Sequence, residues 1–192
     1  MAARVGITKD QVIKAGIQIL RETNDPTAVS MSAIASKIGI RVQSMYAHID
    51  GSSALQRELA LFSLDVLAAR LTEAAIGISG TQAVRAIIQE QLKFAIEQPG
   101  MFAASIFPPG SDSEIQKAIQ KVNHPMHKVL EQEQIREPQL THWSRLVLST
   151  IYGFAMLHRD DQLTLPIPPQ NSMTYLLDVL VTDIERELKH LH

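Results

Sequence analysis

The chain has no cysteine among its 192 residues. That absence excludes a disulfide framework, a Cys-ligated metal site and thiol catalysis together, and it fits a reducing compartment. Net charge is nearly absent too: 18 Lys and Arg stand against 20 Asp and Glu, a formal charge of -2, so the whole chain carries no polyanion-binding signal. Long hydrophobic runs are missing. The longest strongly apolar stretch free of charge, Leu146 to Leu157, has 12 residues, too few to cross the roughly 30 Å of bilayer hydrocarbon. The opening MAARVGITKDQ lacks an apolar core segment, so no signal peptide is expected. No GxSxG, P-loop, dinucleotide or HExxH pattern occurs, which leaves the common catalytic and cofactor signatures empty. The expectation is a cytoplasmic protein with no membrane partner, no cofactor and no enzymatic activity.

What is present is helical periodicity. Hydrophobic residues make up 45% of the chain, the ordinary globular share, and the length allows one full domain or two small ones. Thr8 with Gln11 forms a capping box, followed by Val12, Ile13, Gly16, Ile17 and Leu20 on one helical face. Ser30 is a good N-cap for a short helix through Ile34 and Ile38, which Gly39 closes. A second short segment, Arg41 to His48, follows. Ser53 with Gln56 reads as another capping box. The long helix it opens carries Leu55, Leu59, Phe62, Val66 and Leu71 to about Glu73. Further helices begin near Thr81 and end at Pro99-Gly100, with one or two apolar turns over Met101 to Phe107. Residues 112–135 have helical spacing that Pro125 must kink or split. The last two helices span about 139–159 and 171–190, either side of a proline-rich loop. No strand alternation appears, so the chain reads as all-α with about nine helices.

The segment Ser30–Leu55, SMSAIASKIGIRVQSMYAHIDGSSAL, carries the function. Two short helices meet at a glycine-containing turn, the signature of a helix-turn-helix. Ile34, Ala35 and Ile38 face the core, Gly39 makes the turn, Ile40 fills the angle and Met45 anchors the second helix. Arg41, Val42, Gln43, Ser44, Tyr46 and Ala47 are left facing outward. Gln43 can pair with adenine and Val42 can meet a thymine methyl. Ser44, Tyr46 and His48 can donate to phosphate, and Ser30, Ser32 and Arg41 complete the candidate DNA contacts. Tyr46 also fits a packing role, and His48 also fits a helix end, where positive character complements the dipole. Residues 1–60 carry a net charge of +2 and residues 61–192 a net charge of -4, a mild asymmetry in the direction DNA binding requires.

Here Ile34, Ala35, Gly39, Ile40, Ser44, Met45, Tyr46, His48, Ile49 and Leu55 resemble the recognition pattern of the TetR family of bacterial repressors. The chain departs from it at Arg41, where Ser or Thr is usual, and at Ser52, where Lys is usual. Residues 142–157 are similar to a subgroup marked by Trp, His and Gly, with Trp143 and Gly153 present and Tyr152 where His is usual. The resemblance implies a three-helix DNA-binding head over residues 1–50 and a helical effector-binding and dimerisation domain over residues 51–192. It implies a homodimer on double-stranded operator DNA, its last two helices forming a four-helix bundle with their mates through Leu146, Ser149, Gly153, Leu176, Leu180 and Ile184.

A small-molecule effector is expected in the second domain, apolar or amphipathic because its candidate walls carry few Lys or Arg. Those walls are Phe94, Met101, Phe102, Ile106, Phe107, Trp143, Tyr152, Met156 and His158, each of which also fits plain core. His124, His127 and Glu131 have helical spacing for a metal, but Pro125 intervenes and none is expected. A helical binding or hydrolytic protein with a merely structural helix-turn-helix is the alternative.

Overall fold

The computed structural model describes residues 7–190. Among them it shows nine α-helices, one 3-10 turn and no strand. The helices are α1 (Lys9–Thr23), α2 (Met31–Ile38), α3 (Val42–Met45), α4 (Gly51–Ala74), α5 (Gly80–Glu97), α6 (Pro99–Ser105), α7 (Ser113–Gln132), α8 (Gln139–Arg159) and α9 (Pro169–His190). A 3-10 turn, Pro26–Ala28, links α1 to α2. The all-α class expected from the sequence is what the chain adopts.

Two compact units result. The first holds the described residues up to Ser63 together with Gln98–Ile115; the second holds Leu64–Glu97 and everything from Gln116 onward. In the first, Thr8 caps α1 reciprocally with Gln11, at 3.2 and 3.0 Å. Val12, Ile17, Leu20, Ile34, Met45, Leu55 and Leu59 make its core. In the second, α8 and α9 both pack on α5, which presents Ala83, Val84, Ile87, Ile88, Gln91, Leu92, Phe94 and Ala95 as its buried face.

Several local expectations are corrected. Ser53 and Gln56 do not form a cap, because α4 begins at Gly51; Gln56 instead donates to the carbonyls of Pro26 and Val29, at 3.4 and 3.3 Å. Pro99-Gly100 separates two helices, but Pro99 also opens α6, since the missing N–H of a proline costs nothing at a first helical position. Pro125 does not split its segment: α7 runs through it, with Pro125 itself buried. On α4, Phe62 and Val66 are only half-buried. The buried positions are Leu55, Leu59, Ala60, Ser63, Leu64, Leu67, Ala68 and Leu71. At 100° per residue that stripe turns around the helix, because the first half of α4 serves one unit and the second half the other.

Candidate nucleic-acid interface

The recognition element is built from the inside outward. Ser30 accepts a hydrogen bond from the Ala33 N–H at 3.1 Å and so starts α2. Gly39 ends it with φ of 71°, a left-handed conformation that costs an L side chain roughly 1–2 kcal/mol. The Ile40 N–H reaches back to the Ala35 carbonyl at 2.9 Å, closing the turn. Met45 is 0% exposed and pins α3 from behind. Past α3 the chain stays wound, with the N–H groups of His48 and Ile49 bonding the Met45 carbonyl at 2.9 and 3.0 Å.

What this anchor turns outward is the set the sequence singled out. Ser30, Ser32, Arg41, Gln43, Ser44 and Tyr46 are exposed, while Val42 and His48 are half-buried. Tyr46 is 59% exposed, so a purely internal packing role does not account for it. The eight run from the N-cap of α2, through the turn and α3, to the wound residues just after α3.

Electrostatics leave this face unevenly armed. Lys37 bonds both carboxylate oxygens of Glu22, at 3.0 and 2.8 Å, and holds that carboxyl below its ordinary range. Lys9 pairs with Glu58 and Lys14 with Asp10. Arg57 is committed to Asp112 and Glu114. Among the described residues Arg41 has no such carboxylate partner, and it stands at the N-cap of α3.

The nine effector candidates divide between the units. Met101 and Phe102 are buried in the first, with Ile106 exposed and Phe107 half-buried there. Phe94 is fully buried in the second, under the Arg70 guanidinium at 5.3 Å. Trp143, Met156 and His158 are half-buried on α8, Tyr152 is exposed, and His158 stacks on Phe154. None of the nine lines a narrow cavity within the second unit whose polar residues are Gln91, Asn123 and Ser144. Sequence reasoning passed over Gln91, because one glutamine in a helical period carries no mark of burial. His124 is exposed and His127 bonds Ser144 at 2.8 Å. No group of three His, Asp or Glu poised for a metal occurs among the described residues.

On α8 and α9 an outward face remains apolar: Leu146, Leu157, Tyr175 and Val179 are all more than 40% exposed. Ser149 is exposed and Gly153 half-buried beside them, whereas Leu180 and Ile184 are buried in the chain's own core. No helix among the described residues is long and apolar enough to cross a membrane.

Comparison with known proteins agrees with this geometry. A family model described as "Tetracyclin repressor-like, C-terminal domain" matches residues 84–180, half of the chain. The uncharacterized HTH-type transcriptional regulator YobS of Bacillus subtilis (strain 168) is 26% identical over 157 residues, 82% of each chain. Among solved structures, a protein of unknown function from Rhodococcus sp. RHA1 superposes with a TM-score of 0.75 at 17% identity, covering 95% of this chain and 98% of that one. Apo ActR from Streptomyces coelicolor does so at 0.71 and 14%, covering 99% and 100%; ActR has also been solved in complex with (S)-DNPA. At such identities these structures establish the fold, and the family model establishes kinship. The chain belongs to the TetR family, whose members are DNA-binding transcriptional regulators with a ligand-binding domain and not enzymes.

Proposed function

We propose that this regulator is a repressor that binds a pseudo-palindromic operator as a homodimer and is released by a small apolar or amphipathic effector. The observation that carries the DNA reading is the contrast at α3. Met45 is wholly buried while Arg41, Gln43, Ser44 and Tyr46 beside it are exposed. Gln43 and Val42 read base edges; Ser30, Ser32, Arg41, Ser44, Tyr46 and His48 position the head on phosphates.

Dimerisation is supported by the outward face of α8 and α9. An isologous interface needs one self-complementary patch, and Leu146, Gly153, Leu157, Tyr175 and Val179 supply it in place of Leu180 and Ile184. The effector reading draws support from ActR, which takes (S)-DNPA within the same fold.

Selection from a random duplex pool tests the proposal. Inverted half-sites are expected, because protein two-fold symmetry is mirrored in the site, with affinity falling steeply as salt rises. Enrichment of a single asymmetric element would overturn the dimeric reading.

A further inference from the structure

The 3-10 turn Pro26–Ala28 delivers the chain to α2, and its own bonds are short-range. Asp25 accepts from the Thr27 N–H and hydroxyl, at 2.8 and 2.7 Å, and the Val29 N–H donates to the Pro26 carbonyl at 3.2 Å. These bonds fix the shape of the turn and leave the direction in which α2 departs to other contacts. Ser30 follows at once and caps α2 through the Ala33 N–H. Toward the far end of α2, Lys37 reaches Glu22, an exposed ion pair of modest worth. The helix buries Met31, Ile34 and Ala35, but apolar contact is non-directional and tolerates small rotations.

Gln56 supplies a direction. It lies half-buried on α4, the helix that follows α3 and begins at Gly51. One nitrogen, Nε2, donates to the Pro26 carbonyl at 3.4 Å and to the Val29 carbonyl at 3.3 Å, 30 and 27 residues back in sequence. A carboxamide nitrogen carries two hydrogens, one for each acceptor. The two carbonyls belong to the first residue of the turn and to the residue that closes it. Gln56 therefore ties the chain leaving the recognition element to the chain entering it. Every candidate DNA contact, from Ser30 to His48, lies inside the loop closed in this way, and all of these residues belong to the first unit.

We infer that Gln56 is a positioning residue for operator recognition: by holding the entry of α2 against α4, it sets the angle at which α3 meets the groove. This rests on the DNA reading above and adds a residue that acts through the backbone rather than through a base or a phosphate. Base readout needs side chains in register with base edges, whereas attraction to phosphates does not depend on sequence. Loosening the tie should cost discrimination and spare non-specific binding.

The test measures the full chain against a selected operator and a scrambled duplex, at one salt concentration and well below the melting temperature. The ratio of the two affinities is the readout. Gln56→Met keeps length and bulk but has no donor, and should lower the ratio about tenfold while leaving scrambled-duplex affinity within about twofold. Gln56→Asn keeps the amide but falls one methylene short, and carries the same expectation if the methionine variant does not fold. Gln56→Lys restores donors on a stem one atom longer and should bring the ratio back to within about threefold of wild type. Its added charge strengthens both duplexes alike and cancels in the ratio. A merely structural role would lower both affinities together with the folded fraction and leave the ratio unmoved. An unchanged ratio in the methionine and asparagine variants, a parallel loss on both duplexes, or failure of lysine to restore the ratio would overturn the role of Gln56. Wild type that does not distinguish the two duplexes would overturn the DNA reading itself, so the two failures are separable.

Discussion

Arg57 grips Asp112 with two prongs, Nε to Oδ2 at 2.5 Å and Nη2 to Oδ1 at 3.1 Å, across 55 residues of sequence. The same carboxylate accepts the backbone N–H groups of Glu114 and Ile115, at 3.0 and 3.2 Å, so it also caps the start of α7. Arg57 reaches Glu114 as well. The bonds from Arg57 hold the Asp112 carboxyl down at about 2. A carboxyl whose folded pKa lies below its unfolded value of about 3.9 stabilises the fold above that value and loses the contribution as pH falls toward the folded one.

The first prediction follows from that sign. Between about pH 4 and pH 2 the wild-type urea midpoint should fall, and part of the slope should vanish in Asp112→Asn, which has no proton to gain. Above about pH 5 the variant should be the less stable protein, because a neutral amide accepts less strongly from Arg57. Midpoints recorded across both windows check this; parallel curves for the two proteins would refute the role of Asp112.

Gly100 supplies the second. A Cβ built there would stand 2.6 Å from the Leu20 carbonyl oxygen and 3.0 Å from the backbone of Asn24. The obstacle is main chain at the end of α1, which cannot rotate aside as a side chain can. Gly100→Ala should therefore destabilise the protein by about 1–3 kcal/mol despite the better helix propensity of alanine. A melting temperature equal to or above wild type would show that α1 and α6 part without cost.

Much of this was legible in sequence, and the rest has identifiable causes. Thr8, Ser30 and Gly39 announce helix ends through local hydrogen bonding and backbone freedom, and each performs that role. The outward set from Arg41 to Tyr46 was legible because the residues between them, above all Met45, follow a short strict pattern. The buried face of α4 was not, because its stripe turns where the helix passes from one unit to the other, and a straight period picks Phe62 and Val66 instead of Leu64 and Leu67. Gly100 and Pro99 together read as a stop; only tertiary packing shows that the glycine admits a close backbone. Gln91 is the plainest case, since burial is not written in a single residue type.

The third prediction concerns charge on the unit proposed to bind DNA. Lys37 spends its ammonium on Glu22, an exposed pair of modest intrinsic worth. Glu22→Gln should free Lys37 for phosphate, raise non-specific DNA affinity and steepen the slope of log K against log salt by up to about one. Folding stability should change little. A salt slope equal to wild type would mean that Lys37 lies beyond reach of the backbone.

The fourth separates reading from positioning on the recognition element. Gln43 and Tyr46 are both exposed, three residues apart and on either side of the buried Met45, yet their chemistry assigns them different partners. The Gln43 amide can donate and accept at once, matching the adenine edge in the major groove. The Tyr46 phenol offers a single O–H, suited to a phosphate oxygen. Gln43→Ala should therefore relax preference at one base position by about 1–3 kcal/mol and leave non-specific binding nearly intact. Tyr46→Phe should weaken all sequences about equally, because phosphates are the same at every step. Competition binding against a panel of single-base operator variants, at fixed salt, measures both profiles. A changed base preference in Tyr46→Phe, or a uniform loss in Gln43→Ala, would show that α3 meets the groove in another orientation.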